Sequence, residues 1–201
     1  MAEVAAIILA AGLSRRMGAQ NKLLLPVNGV PMIRHVVTQY RAAITGPITV
    51  VIGHDAPLVE AALAGIDAIC VTNTGYASGR QSSVAFGLQH CPPADVVLIG
   101  LGDQPLLCAR DICDLLEAHR AGDQGKISVP TQGDTRGNPI VIPSKCRPLL
   151  TADPARPGCM RITRENPELV QKLSLTADGF FTDVDTPAAY TNLRKQEAQL
   201  T

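Results

Sequence analysis

Short apolar runs alternate with longer amphipathic stretches through the first two-thirds of the chain. The runs Val4 to Leu9, Ile48 to Ile52, Ala68 to Val71, Val96 to Leu101 and Ile127 to Val129 are rich in residues that favour strands. Between them the pattern predicts helices over about Met32 to Ala43, Pro57 to Ala64, Gln81 to His90 and Ala109 to Ala121. In the last of these, Ile112, Leu115, Leu116 and Ala118 recur at the spacing of one helical face. Strands separated by helices pair in parallel and are buried on both faces, so the fold class is α/β with a mostly parallel central sheet.

The alternation weakens after Pro130. TQGDTRGNP is turn-rich, Pro139 to Ile142 reads as a strand, and TADPARPG as an irregular connection with a helix beginning near Pro157. Strands are predicted at Leu169 to Leu175 and Phe180 to Val184, then a terminal helix from Pro187 capped by Thr186. This part is expected to add a lobe over the sheet. The chain shows no internal repeat or low-complexity tract.

Composition narrows the picture further. A chain of 201 residues that is 46% hydrophobic can bury one sizeable core, which predicts a single domain over residues 1–201. Lysine plus arginine equals aspartate plus glutamate at 18 each, so no global field marks a partner such as nucleic acid or a membrane surface. Any anion site must be local. The run Val4 to Ala11 is too short to span a bilayer and has no basic leader, which predicts a cytoplasmic protein. Six cysteines form no C-x-x-C pair and no zinc spacing with histidine, so they read as reduced thiols. Of His35, His54, His90 and His119, which match no ligand spacing, His54 alone is expected near the cleft. No G-x-S-x-G elbow or Ser-His-Asp order supports acyl transfer.

The first strand runs into Leu9-Ala10-Ala11-Gly12-Leu13-Ser14-Arg15-Arg16-Met17-Gly18, followed by Lys22. Ligands of open α/β sheets settle at the C-terminal edge of the strands, where this loop lies. Gly12 and Gly18 permit close backbone approach, and Arg15, Arg16 and Lys22 offer cationic donors. Together they suit a polyphosphate. The spacing matches neither a P-loop nor G-x-G-x-x-G. At the end of another strand, Gly102-Asp103-Gln104-Pro105 presents a carboxylate on the same edge, an oxygen ligand of the kind a hard divalent cation takes. Asp183 and Asp185 lie on one side of an extended segment before the terminal helix, where either can face the site or favour the helix N-terminus. Ser82 and Ser83 open a helix after Ser78-Gly79-Arg80, as caps or as contacts to a bound base.

The stretch LAAGLSRRMGAQNKLLLPVNGVPMI resembles the signature of the MobA-like nucleotidyltransferases, and is most similar to that of the molybdenum cofactor cytidylyltransferases. The guanylyltransferase branch more often reads LAGG with a DK pair, where this chain has Ala11 and Asn21-Lys22. The resemblance implies a Rossmann-like three-layer α/β/α fold and transfer of CMP from CTP to molybdopterin, with release of pyrophosphate. It implies that Leu9 to Arg16 line the nucleotide with Lys22, Arg80, Ser82, Ser83 and Gly102. Catalysis would rest on Arg16, Lys22 and Asp103, and Mg2+ on Asp103 and Asp185, the latter from the DVDTP element. Gln104, Arg136 and Asn138, the last two in an R-G-N-P turn, would border the acceptor. Gly158-Cys159-Met160-Arg161 stands where these cytidylyltransferases carry a GD-x-GAR stretch, a departure on the pterin side. A molybdenum hydroxylase is the implied recipient of the product. A guanylyltransferase, a transferase with another phosphorylated acceptor, or a non-catalytic cofactor carrier are the alternatives.

Overall fold

A computed structural model describes residues 3–18, 20–152 and 158–199. The chain begins with β1 (Val4–Ala10), a small hairpin of β2 (Pro26–Val27) and β3 (Val30–Pro31), and α1 (Met32–Ala43). It continues through β4 (Ile48–Ile52), α2 (Ala56–Ala62), β5 (Ile69–Thr72), α3 (Arg80–His90), β6 (Val96–Leu101) and α4 (Ala109–Ala121). Then come β7 (Ile127–Gln132), β8 (Thr135–Arg136), β9 (Ile140–Pro143), α5 (Arg147–Thr151), α6 (Cys159–Glu165), β10 (Val170–Ser174) and α7 (Pro187–Gln199). The main sheet has the order β10-β7-β9-β6-β1-β4-β5, with β8 paired onto β7. All neighbours along that path are parallel except those of β9, which runs antiparallel to both β6 and β7.

Side chains alternate across β1 and fill two cores. Ala6, Ile8 and Ala10 face a cluster containing Val36, Val37 and Tyr40 of α1, Val59 of α2, Ile112 and Leu115 of α4, and Leu193 of α7. Ala5 and Ile7 face the opposite cluster, with Val84 and Leu88 of α3, Leu150 of α5 and Ile162 of α6. Helices thus cover both faces, giving the three-layer α/β/α arrangement. α3 lies very close to the sheet: a Cβ on Gly87 would stand 2.6 Å from Ile7 Cγ2 and 2.9 Å from Val51 Cγ2.

The chain winds outward from β1 to β4 and β5, then crosses back through α3 to β6 on the other side of β1. The strand order therefore reverses between β1 and β6, the position where open α/β sheets form their ligand crevice. The residues that leave these two strands are the loop from Ala11 and the turn at Gly102.

The C-terminal third departs from expectation in two ways. Instead of a lobe over the sheet, β7, β9 and β10 extend the sheet itself. Phe180 to Val184 forms no strand: a 3-10 turn at Asp178–Phe180 leads into an irregular connection. Phe180 and Val184 are apolar because they are driven into the α1/α4/α7 core, at 1% and 2% exposure, and not because they pair. Pro157, the expected helix start, and most of TADPARPG lie outside the described residues, and α6 begins at Cys159. The terminal helix starts as predicted, with Thr186 Oγ1 accepting from the amide of Ala189 at 3.2 Å. No helix among the described residues is long and apolar enough to cross a membrane. The six cysteines are unpaired, and burial pushes the Cys159 thiol up to about 12.

Candidate active site

The loop after β1 is shaped by its own side chains. Ser14 sits in the left-handed region at φ 49°, which reverses the chain before the 3-10 turn Arg15–Met17. Its hydroxyl accepts from the amide of Lys22 at 3.3 Å, closing the loop on itself. Asn21 is buried; its Oδ1 accepts from the Leu23 amide at 3.1 Å, and its Nδ2 donates to Asp55 at 3.2 Å. The amides of Gly12 and Leu13 have no intramolecular partner among the described residues. These donors face a cleft of about 370 Å³.

The opposite wall comes from β6 and the segment before α7. Gly102 lets the two central strands end close together: its amide donates to Leu9 O at 3.0 Å, and a Cβ there would stand 2.8 Å from Ile33 Cδ1. The next residue, Asp103, accepts at its backbone carbonyl from the amide of Val184 at 2.8 Å. Gln104 Nε2 donates to Phe180 O at 3.1 Å. These two bonds zip residues 180–184 onto the end of β6, which brings Asp183 and Asp185 beside Asp103. One oxygen from each of the three carboxylates lies within 4.8 Å of the others.

Cations bind this acidic wall to the loop. Lys22 Nζ donates to Asp103 Oδ2 and, at 2.6 Å, to Asp185 Oδ1. Arg16 Nη2 reaches Asp185 Oδ2 at 2.5 Å. Burial tends to raise the Asp185 carboxyl, but the hydrogen bond and charge of Lys22, with Arg16, outweigh it and hold the group below its ordinary value. Asp183 goes the other way, raised by burial and then by the Asp103 and Asp185 charges.

Whether these groups fit a divalent metal can be judged from the donors. Asp103 Oδ1 is buried and has no hydrogen-bond partner among the described residues, and a buried carboxylate oxygen without a partner is costly. Three carboxylates offer an all-oxygen set of the kind hard divalent cations take. The residues fit such an ion.

Of the residues expected from sequence to bind nucleotide, Leu9 to Arg16, Lys22 and Ser83 line the cleft, together with Asp103 and Asp185. Others lie elsewhere. Gly102 is taken up in packing. Ser82 Oγ donates to Gly79 O at 2.8 Å, and Ser82 is not among the residues that line the cleft. The side chain of Arg80 lies outside the described residues. Gln104, expected to border an acceptor, is 2% exposed and serves as the inward tie to Phe180. Arg136 donates to Thr163 Oγ1 at 2.6 Å and so fastens α6, while Asn138 donates its amide to Phe180 O at 2.8 Å. Neither lines the cleft.

Two contributors went unnoticed in the sequence. Asn73, just after β5, is 4% exposed and donates through Nδ2 to both Ser82 Oγ and Ser83 Oγ at 3.1 Å. It orients the hydroxyls at the start of α3. Tyr76 lines the cleft from the 3-10 turn Tyr76–Ser78. The signal for Asn73 was an asparagine closing a strand before Thr-Gly; for Tyr76 the sequence carries none.

Comparison with known proteins agrees with this geometry. Residues 6–171 match the model of the MobA-like NTP transferase domain. The bifunctional protein GlmU of Burkholderia multivorans is 35% identical over 136 residues, 67% of this chain. The chain spans only 30% of that relative's length. Nicotine blue oxidoreductase of Paenarthrobacter nicotinovorans is 28% identical over 189 residues, covering 91% of this chain and 92% of that protein. Among solved structures, a nucleotidyl transferase from Methanothermobacter superposes with a TM-score of 0.84 at 21% identity, over 99% of both chains. With the phosphate-type loop and the carboxylates converging at the strand-order reversal, and a family match running through most of the sequence, the chain belongs to the MobA-like NTP transferases.

Proposed function

We propose that the protein, acting as one domain, transfers CMP from CTP to molybdopterin, giving molybdopterin cytosine dinucleotide and pyrophosphate. The observation that carries a transferase reading is the contact of Lys22 with both Asp103 and Asp185. It joins the phosphate-binding loop and the acidic wall into one site. The cytidylyl assignment rests on the LAAG and NKLLLP form of the loop.

A phosphate oxygen of the acceptor is anionic at neutral pH and needs little help from a general base, so the work is alignment and charge neutralisation. The amides of Gly12 and Leu13 and the side chains of Arg16 and Lys22 hold the triphosphate with its α-phosphorus toward the acidic wall. The acceptor oxygen bonds to that phosphorus as the bond to the bridging oxygen of pyrophosphate breaks. Asp103 and Asp185, with Asp183 adjacent, would hold Mg2+, which would supply positive charge against the phosphate oxygens. Ser83, fixed by Asn73, meets the base, and Arg136 and Asn138 shape the acceptor side through α6 and the Phe180 turn. The enzyme works in the cytoplasm and passes its product to a molybdenum hydroxylase.

The test is Asp103→Ala. It abolishes pyrophosphate release while the protein still melts cooperatively; turnover in the folded variant would falsify the metal role. A panel of nucleoside triphosphates with molybdopterin, the dinucleotide identified by mass, decides the base. A GTP product assigns the guanylyl branch. The oxidoreductase name of one relative motivates a parallel assay with a reduced nicotinamide nucleotide, for which no oxidation is expected.

A further inference from the structure

The site already contains a cation where the metal reading requires one. Lys22 is 8% exposed, and its ammonium lies between Asp103 Oδ2 and Asp185 Oδ1. Arg16 engages the other oxygen of Asp185. Three carboxylates thus face two side-chain cations, and these are the same cations that hold the triphosphate in the proposed reaction. A dication arriving alone would have to evict Lys22 from both carboxylates with no other anion to receive its ammonium, which is unfavourable. A dication arriving with a triphosphate faces no such obstacle, because the displaced ammonium moves onto the phosphate.

The backbone is arranged for that movement. The Lys22 amide is held by Ser14 Oγ, and the flanking Asn21 is bonded to Leu23 and Asp55. Only the flexible four-carbon stem needs to swing. It borders the cleft formed with Gly12 to Arg16, so the ammonium has a path from the carboxylates to the loop.

The geometry points to Lys22 as a built-in substitute for the metal ion: it occupies the cation position between Asp103 and Asp185 and releases it when a nucleoside triphosphate offers another anion, so metal and nucleotide enter as a pair. This rests on the proposed metal role of Asp103 and Asp185. It also explains why one lysine touches both halves of the site.

The experiment is Mn2+ binding to the full chain, followed by electron paramagnetic resonance, for wild type, Lys22→Met and Asp103→Asn, first without nucleotide and then with CTP. Without nucleotide, Lys22→Met is expected to bind Mn2+ at least about tenfold more tightly than wild type, the effect of removing a close like charge. CTP should strengthen Mn2+ binding markedly in wild type and much less in Lys22→Met. Equal or weaker Mn2+ affinity in nucleotide-free Lys22→Met overturns the inference. If Asp103→Asn loses Mn2+ in that case, the metal site itself stands; if Asp103→Asn binds Mn2+ as wild type does, both readings fail. Lys22→Gln, and the Mn2+-dependent rise in melting temperature of each variant, provide the same comparison should Lys22→Met fold poorly.

Discussion

His119 shows how far a single buried residue can shape the behaviour of the protein. It is 2% exposed on α4, and its Nδ1 lies 2.7 Å from Ser128 Oγ of β7, which also accepts from Gln171 Nε2 of β10 at 2.8 Å. Its Nε2 has no hydrogen-bond partner among the described residues. Burial lowers its pKa, Arg120 lowers it further, and Asp123 opposes them. The neutral ring is therefore the folded form, and the unfolded chain takes up the proton first. Stability is complete above the ordinary histidine range and falls as pH drops from there toward the lower folded value. The melting temperature is expected to decline between about pH 7 and pH 5, and His119→Gln should flatten that decline. An equally steep acid limb in His119→Gln would remove this residue as its source. The sequence shows His119 only as a histidine without ligand spacing; its partners come from elements separated by up to 52 positions.

At the scale of elements, the first two-thirds of the chain was legible because periodicity there reports burial directly. β4 and β6 have the predicted bounds, and α1 and α4 do as well. The irregular segments were not legible, since they are set by contacts distant in sequence. Phe180 and Val184 read as a strand because a plug for a core and a paired strand use the same residues. A GDQP turn at a strand end does not reveal which way the Gln104 amide points; Phe180 O, distant in sequence, accepts from it. The glycines and cations of the loop are visible in the sequence, whereas its closure by Ser14 and Asn21 is set by hydrogen bonds that the sequence does not display. α3 gives a test of packing against propensity. Gly87→Ala gains about 1 kcal/mol of helix propensity, but the new methyl meets the stiff β-branched side chains of Ile7 and Val51. Overpacking costs roughly 1–3 kcal/mol, so chemical denaturation should show a net loss. A more stable variant would mean that α3 can lift from the sheet without penalty.

For the whole molecule, the strand-order reversal concentrates ligand binding at one edge of the sheet, so occupancy there stabilises the entire fold. With CTP and Mg2+ at a hundred times the dissociation constant, stabilisation should reach about 2.7 kcal/mol. For a protein of this size that corresponds to a rise of roughly 5–10 °C in melting temperature. Asp103→Ala should lose most of that rise, as differential scanning fluorimetry can measure; an undiminished shift would remove Asp103 from the proposed metal site.

The order in which the parts of the site occur along the chain has a consequence for its synthesis. The cleft loop follows β1, whereas Asp183 and Asp185 come after β10 and reach Asp103 only when residues 180–184 are zipped onto β6. A growing chain on the ribosome can bury β1 between β4 and β6 well before those carboxylates emerge, since a nascent chain folds from its N-terminal part. Such an intermediate carries cations and open amides but an incomplete acidic cluster. Completion of the three-carboxylate cluster thus waits on residues 183 and 185, and a chain that stops short of them has Asp103 alone.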